Sequence, residues 1–172
     1  MDKKIIQKFI QLLGEKVTGK WVIMGGSVLP LLDASTRHTQ DIDVAGPSKA
    51  TLGESLALME IAQTLGLPIE AVNQAAAFFL HKIPGWDKEI ILIYKGPKAE
   101  IYRPSSGLYV LLKLNRLSET DLDDCIKMIQ YAYGHKEFFD AKKVEKAIKN
   151  FIKKSEDTLR SNRLKKLLEF LH

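Results

Sequence analysis

The sequence predicts a single α/β domain of the α+β kind, a small β-sheet flanked by helices and continued by a helical C-terminal extension. Three observations lead there. The apolar run Trp21-Val22-Ile23-Met24 ends in Gly25-Gly26, a buried strand entering a tight turn. Asp41-Ile42-Asp43-Val44 alternates carboxylate with apolar residue, a strand with one face in the core. Two β-rich runs, Glu89 to Tyr94 and Ala99 to Arg103, are joined by Lys95-Gly96-Pro97-Lys98, which suits a hairpin. We assign residues 1–135 to the core and 136–172 to a basic helical extension packed on the same domain.

The remaining elements follow in order. Asp2 is placed to cap a first helix whose Ile5, Ile6, Phe9, Ile10, Leu12 and Leu13 recur at helical spacing, with Gly14 as its stop. Ser27 stands at an N-cap position ahead of Val28, Leu29, Leu31 and Leu32, and Pro30 is tolerated where first-turn amides have no intrahelical acceptor. Gly46-Pro47 ends the acidic strand. Helices are expected from Gly53 to Leu65 and from Ile69 to Lys82, punctuated by Gly66 and Pro68. After the hairpin come helices over Leu108 to Leu117, Asp121 to Tyr133, and a long basic stretch from about Phe138.

Composition narrows the function classes. With 172 residues, 45% apolar and 27% charged, the chain can bury a sizeable core and reads as an ordinary globular protein. No apolar run approaches the roughly 18 to 20 residues a membrane helix needs, so no membrane role is expected. Met1-Asp2-Lys3-Lys4-Ile5 does not read as a signal peptide, and the single Cys125 points to a reducing, cytoplasmic setting. From Lys142 to His172 there are ten Lys or Arg against four acids, a net of +6. The rest of the chain carries sixteen against seventeen, a net of −1. Such a tail is either a solvated lysine face or a surface for a polyanion such as RNA.

The chemistry concentrates in two places. Asp41 and Asp43 lie two apart on a strand and project to the same side. Two carboxylates there repel unless a cation joins them, and hard Mg²⁺ takes such ligands together with waters and phosphates. Alone, such alternation also occurs on solvent-facing strands. In Gly25-Gly26-Ser27, the glycines let a ligand approach the backbone, the following helix offers free amides, and the Ser27 hydroxyl is a further donor. Alone, this is also an ordinary capped turn.

The two patterns in this order resemble the signature of the DNA polymerase β-type nucleotidyltransferase superfamily: a hydrophobic strand, Gly-Gly or Gly-Ser, a spacer, then Asp-hydrophobic-Asp-hydrophobic. Arg37-His38-Thr39-Gln40-Asp41-Ile42-Asp43 resembles the Arg-x-Thr-x-Asp-Ile-Asp variant of AbiEii-like toxin proteins and related bacterial nucleotidyltransferase-like families. Lys113, Arg116 and Asp121-Leu122-Asp123-Asp124-Cys125-Ile126 are similar to a helical segment of those families, with Thr120 standing where they have a basic residue.

The resemblance implies a small mixed-sheet nucleotidyltransferase core that transfers a nucleotidyl group from a nucleoside triphosphate. Asp41 and Asp43 would be catalytic and hold Mg²⁺ or Mn²⁺. Gly25, Gly26, Ser27, Arg37 and Lys113 would bind the nucleotide, and Thr39, Arg116, Asp121 and Asp124 would support the site. Active relatives carry a third carboxylate on a neighbouring strand; here Glu89 and Glu100 are the candidates, neither in an obvious register. The acceptor would be RNA, transfer RNA by analogy and reached through the basic C-terminal helix, or a protein or small molecule. The alternative is a catalytically silent module with a protein partner, such as one half of a toxin–antitoxin pair. His38 is expected exposed, with a contact to phosphate or hydroxyl as the alternative; Cys125 is expected as core filling; Trp86, Tyr102 and Tyr109 are expected buried against the sheet, with stacking on a base as the alternative.

Overall fold

The computed structural model of the protein describes residues 1–47 and 51–172, and these form two compact units, Met1–Pro104 and Ser105–His172. The expected boundary at 135/136 falls inside the second unit.

The first unit opens with helix α1 (Lys3–Lys16), capped as expected by the Asp2 side chain, which accepts from the Ile5 amide at 3.0 Å. Gly14 does not end this helix. A Cβ there would lie 2.7 Å from the Tyr94 ring and 3.1 Å from Gly96 Cα, so its lack of side chain serves close packing of helix on hairpin. The reciprocal contact holds at Gly96, where a Cβ would meet Gly14 Cα at 2.6 Å.

Among the described residues five strands follow: β1 (Gly19–Met24), β2 (Ile42–Ala45), β3 (Val72–Asn73), β4 (Ile90–Lys95) and β5 (Ala99–Pro104). Their order is β3-β2-β1-β5-β4. β1 runs antiparallel to β2 and parallel to β5, β2 runs parallel to β3, and β4 and β5 form the expected antiparallel hairpin. The sheet is therefore mixed. Ile6, Phe9 and Leu13 of α1 and Ile61 of helix α3 (Leu52–Thr64) bury one face against Trp21, Ile23, Ile42, Val44 and Ile101, all without solvent exposure. Truncating Trp21 at this site would cost about 3–5 kcal/mol.

Of two expectations about helices, the short one after the glycine turn is met and the second is corrected. Between β1 and β2 the chain makes a 3₁₀ turn, Gly25–Ser27, and helix α2 (Val28–Leu31), which is only one turn long. The span 69–82 is not one helix. Val72 and Asn73 pair with Ile42 and Asp43 to form β3, and the Asn73 side chain accepts from the Ala75 amide at 2.8 Å, turning the chain. Only then does helix α4 (Ala77–His81) form. The gain of a sheet edge outweighs helical propensity there.

The second unit is four helices: α5 (Ser106–Lys113), α6 (Glu119–Gly134), α7 (Ala141–Lys154) and α8 (Thr158–Phe170). They bury Val110, Leu114, Cys125, Ile129, Val144, Ile148, Leu164 and Leu167 among themselves. The basic stretch is split where Asp157 caps α8, accepting from the Leu159 and Arg160 amides. Among the described residues, no helix is long and apolar enough to cross a membrane.

Candidate functional site

At the C-terminal end of β1 the chain turns on Gly25, whose φ of +62° is a conformation that side-chain-bearing residues rarely adopt. The position has a second constraint. A Cβ on Gly25 would stand 1.8 Å from Asp43 Oδ2, so the turn backbone and the Asp43 carboxylate are in direct apposition. The antiparallel register accounts for this, since Met24 pairs with Asp43. One residue on, a Cβ at Gly26 would lie 3.4 Å from both Arg37 Nη2 and Thr39 Oγ1. The carboxylate of β2 thus meets Gly25, and the guanidinium and hydroxyl of the 37–39 loop lie close to Gly26.

Asp41 and Asp43 share this end of the sheet. Ile42 and Val44 are fully buried while Asp43 is half-buried and Asp41, just ahead of the strand, is exposed. Thr39 Oγ1 donates to the Asp41 backbone carbonyl at 2.8 Å and so ties the loop to the strand entrance. His38 is exposed, as expected.

Ser27 is placed differently from expectation. It is fully buried, and its hydroxyl donates to the Met24 carbonyl at 3.0 Å instead of capping α2. The serine closes the turn from inside.

The two candidate third carboxylates lie elsewhere on the sheet. Glu100 pairs in register with Lys20, four residues back along β1 from Met24, or about 13 Å at strand rise. Its carboxyl is held below the usual range by a hydrogen bond from the Tyr102 hydroxyl and by nearby Lys95. Glu89 immediately precedes β4, three strand spacings from β2, or about 14 Å. Continuing the β1–β5 register two residues brings Pro104 beside Met24, and Pro104 pairs with Ile90. The strand residues level with Asp43 are thus Met24, Pro104 and Ile90. Asn73, which helical periodicity had hidden, pairs with Asp43 from β3.

Among the described residues no group of three or more His, Cys, Asp or Glu is placed to hold a metal. Two carboxylates at a strand entrance do not make an all-protein cage. Mg²⁺ is an ion for which one or two carboxylates suffice, since it completes its shell with waters and substrate phosphates.

Lys113, Arg116, Asp121 and Asp124 form a cluster of their own in the second unit. Lys113 Nζ donates to Asp121 Oδ1 at 2.8 Å and to Asp124 Oδ2 at 3.2 Å, and Arg116 Nε donates to Asp121 Oδ2 at 2.7 Å. Ser118 adds its hydroxyl and amide at 2.9 and 3.1 Å in a reciprocal capping box on α6. Burial alone would raise the Asp121 carboxyl, but the Arg116 and Lys113 hydrogen bonds outweigh it and hold it well below the carboxylate range. Cys125 is buried among the core residues of this unit, as core filling requires, and burial pushes its thiol up.

Residues 3–169 match the model of a family described as nucleotidyltransferase of unknown function (DUF6036). No curated protein and no solved structure matches the chain. The family match spans nearly the full length, and the chain belongs to that family.

Proposed function

We propose that this family member transfers a nucleotidyl group from a nucleoside triphosphate to an acceptor in a metal-dependent reaction. The observation that carries the reading is the convergence on one turn: Asp43 against Gly25, and Arg37 and Thr39 against Gly26. Asp41 and Asp43 would hold the Mg²⁺ or Mn²⁺. When bound, the ion offsets phosphate charge and the charge that develops on the transferred group.

The chain's own residues supply the rest. Gly25 and Gly26 keep side chains out of the space where a triphosphate meets the backbone. Arg37 brings a permanent charge and a donor fork matched to phosphate oxygens. Thr39 holds its loop to Asp41, and Ser27 holds the turn shut behind the glycines. The acceptor is an RNA, a protein or a small molecule, and the basic C-terminal segment favours RNA, with transfer RNA as the first candidate.

The test is calorimetric titration of ATP, GTP, CTP and UTP with Mg²⁺ into wild type and the Asp41→Ala/Asp43→Ala variant. Metal-dependent binding that disappears in the variant supports the site; a folded wild type that binds none of the four rejects it. A second reading, a catalytically silent module such as a toxin–antitoxin component, rests on the strand residues level with Asp43, which are Asn73, Met24, Pro104 and Ile90, none of them acidic. Incubation with labelled nucleoside triphosphates and cellular RNA or protein separates the two, since a silent module binds nucleotide and transfers nothing.

A further inference from the structure

The basic residues of the C-terminal segment are not equivalent. On α8, Arg160 Nη2 donates to the Leu114 carbonyl at 3.0 Å and Arg163 Nε to the Leu117 carbonyl at 2.5 Å. These two arginines are consumed in tying α8 to the end of α5 and the turn after it. On α7 the arrangement is opposite. Lys142, Lys146, Lys149 and Lys153 follow one another at spacings of four, three and four residues, a sector of roughly 60° on a helix of 3.6 residues per turn. All four are exposed. Val144 and Ile148, the buried residues of α7, fall on the far side of the same helix. The stripe runs about 16 Å, one ammonium every 5 to 6 Å. With Glu145 and Asn150 it lines a shallow trough of about 380 Å³. Lys149 is paired with Glu145, while Lys142, Lys146 and Lys153 have no ion pair among the described residues.

We propose that this stripe grips the phosphodiester backbone of an RNA without reading its sequence. The regular pitch suits consecutive phosphates along one strand. The residue type argues the same way, because lysine is depleted at protein–protein interfaces, where buried aromatic and arginine anchors carry the energy. A membrane surface is disfavoured, since a helix lying on lipid needs its apolar face free to insert and that of α7 is buried in the second unit. Lysines are point charges without arginine's planar fork, so they neutralise phosphates and do not discriminate bases. The choice of RNA rests on the acceptor named above; the stripe itself is independent of catalysis.

The experiment is fluorescence anisotropy of a labelled RNA hairpin with the full chain, no nucleotide present, across a salt series. Four phosphate contacts predict a slope of log K against log salt of about −3, so wild-type affinity falls about 60-fold between 50 and 200 mM. Lys142→Gln/Lys146→Gln/Lys149→Gln/Lys153→Gln is expected to flatten that slope and to lose roughly a hundredfold in affinity near 100 mM. The corresponding Lys→Arg variant retains binding. Removing the same charge from Lys4, Lys8, Lys88 and Lys98 of the first unit changes it little. An unaltered slope in the stripe variant, an equal loss in the first-unit variant, or binding to phosphatidylserine vesicles with none to RNA overturns the proposal. Nucleotide titration keeps the two readings apart. RNA binding that persists in an Asp41→Ala/Asp43→Ala variant, with wild type taking up no nucleotide, removes the catalytic reading and leaves the stripe standing.

Discussion

The chain carries two pairs of aspartates that matter, Asp41 with Asp43 and Asp121 with Asp124, and the fold treats them in opposite ways. The second pair is buried at 1% and 0% exposure on one face of α6 and is met there by Lys113, Arg116 and the Ser118 cap. The first pair stands at the entrance of β2, with Asp41 in solvent and Asp43 against the glycine turn. A carboxylate taken out of water must find its counter-charge in the protein, and the buried pair finds it in Lys113 and Arg116. Asp41, exposed at the strand entrance, is open to a counter-charge brought by a ligand.

Substitution separates the two roles, most strongly at Asp43. Asp43→Asn is expected to abolish nucleotidyl transfer with little change in melting temperature, and a variant with undiminished turnover would remove the mechanism. Asp121→Ala should do the reverse, costing about 1–3 kcal/mol in a denaturant titration, because Lys113 and the Ser118 cap lose a buried acceptor while Lys113 keeps Asp124 and Arg116 turns to solvent.

Acid probes the same cluster. The folded Asp121 carboxyl lies below its unfolded value of about 3.9, so its contribution is fully present above that pH. As pH falls below about 4 the unfolded chain takes up the proton first, and stability drops until the folded carboxyl is also protonated. Asp121→Asn should flatten this acid limb, and an unchanged limb would show that other carboxylates set it.

Gly25→Ala tests the first site from the backbone side. The left-handed conformation alone costs a side-chain-bearing residue about 1–3 kcal/mol. The new methyl must also push the Asp43 carboxylate aside, so metal-dependent nucleotide affinity should fall further than stability does. The smallest effect is reserved for Asp123→Ala on α6, which removes an exposed pair with Lys127 and should cost only about 0.3–0.5 kcal/mol. A loss there as large as at Asp121 would mean that burial does not explain the contrast between the two aspartates on that helix.

Much of the first site was legible before any coordinates. The buried β1, the Gly25-Gly26 turn and the alternation over Asp41 to Val44 are local patterns whose physical meaning does not depend on distant partners. Arg37 and Thr39 entered by resemblance alone, since nothing in a polar loop says which way it folds. Three residues were misplaced for one reason. Gly14 looked like a helix stop because its real neighbour, Gly96, is far away in sequence; Ser27 looked like a cap because its bond to Met24 depends on the turn; Asn73 sat in an apparent helix because its partner strand is thirty residues upstream.

The sequence by itself determined the α/β fold class, the hairpin, the acidic strand and the unequal charge of the tail, all set by periodicity and turn chemistry over a few residues. Only the tertiary structure decided that Asp43 meets Gly25, that Lys113 is held between two buried carboxylates, and which basic residues of the tail face solvent. Those outcomes depend on strand register and on burial, which arise from contacts between residues distant in the chain and leave no periodic trace within any one segment.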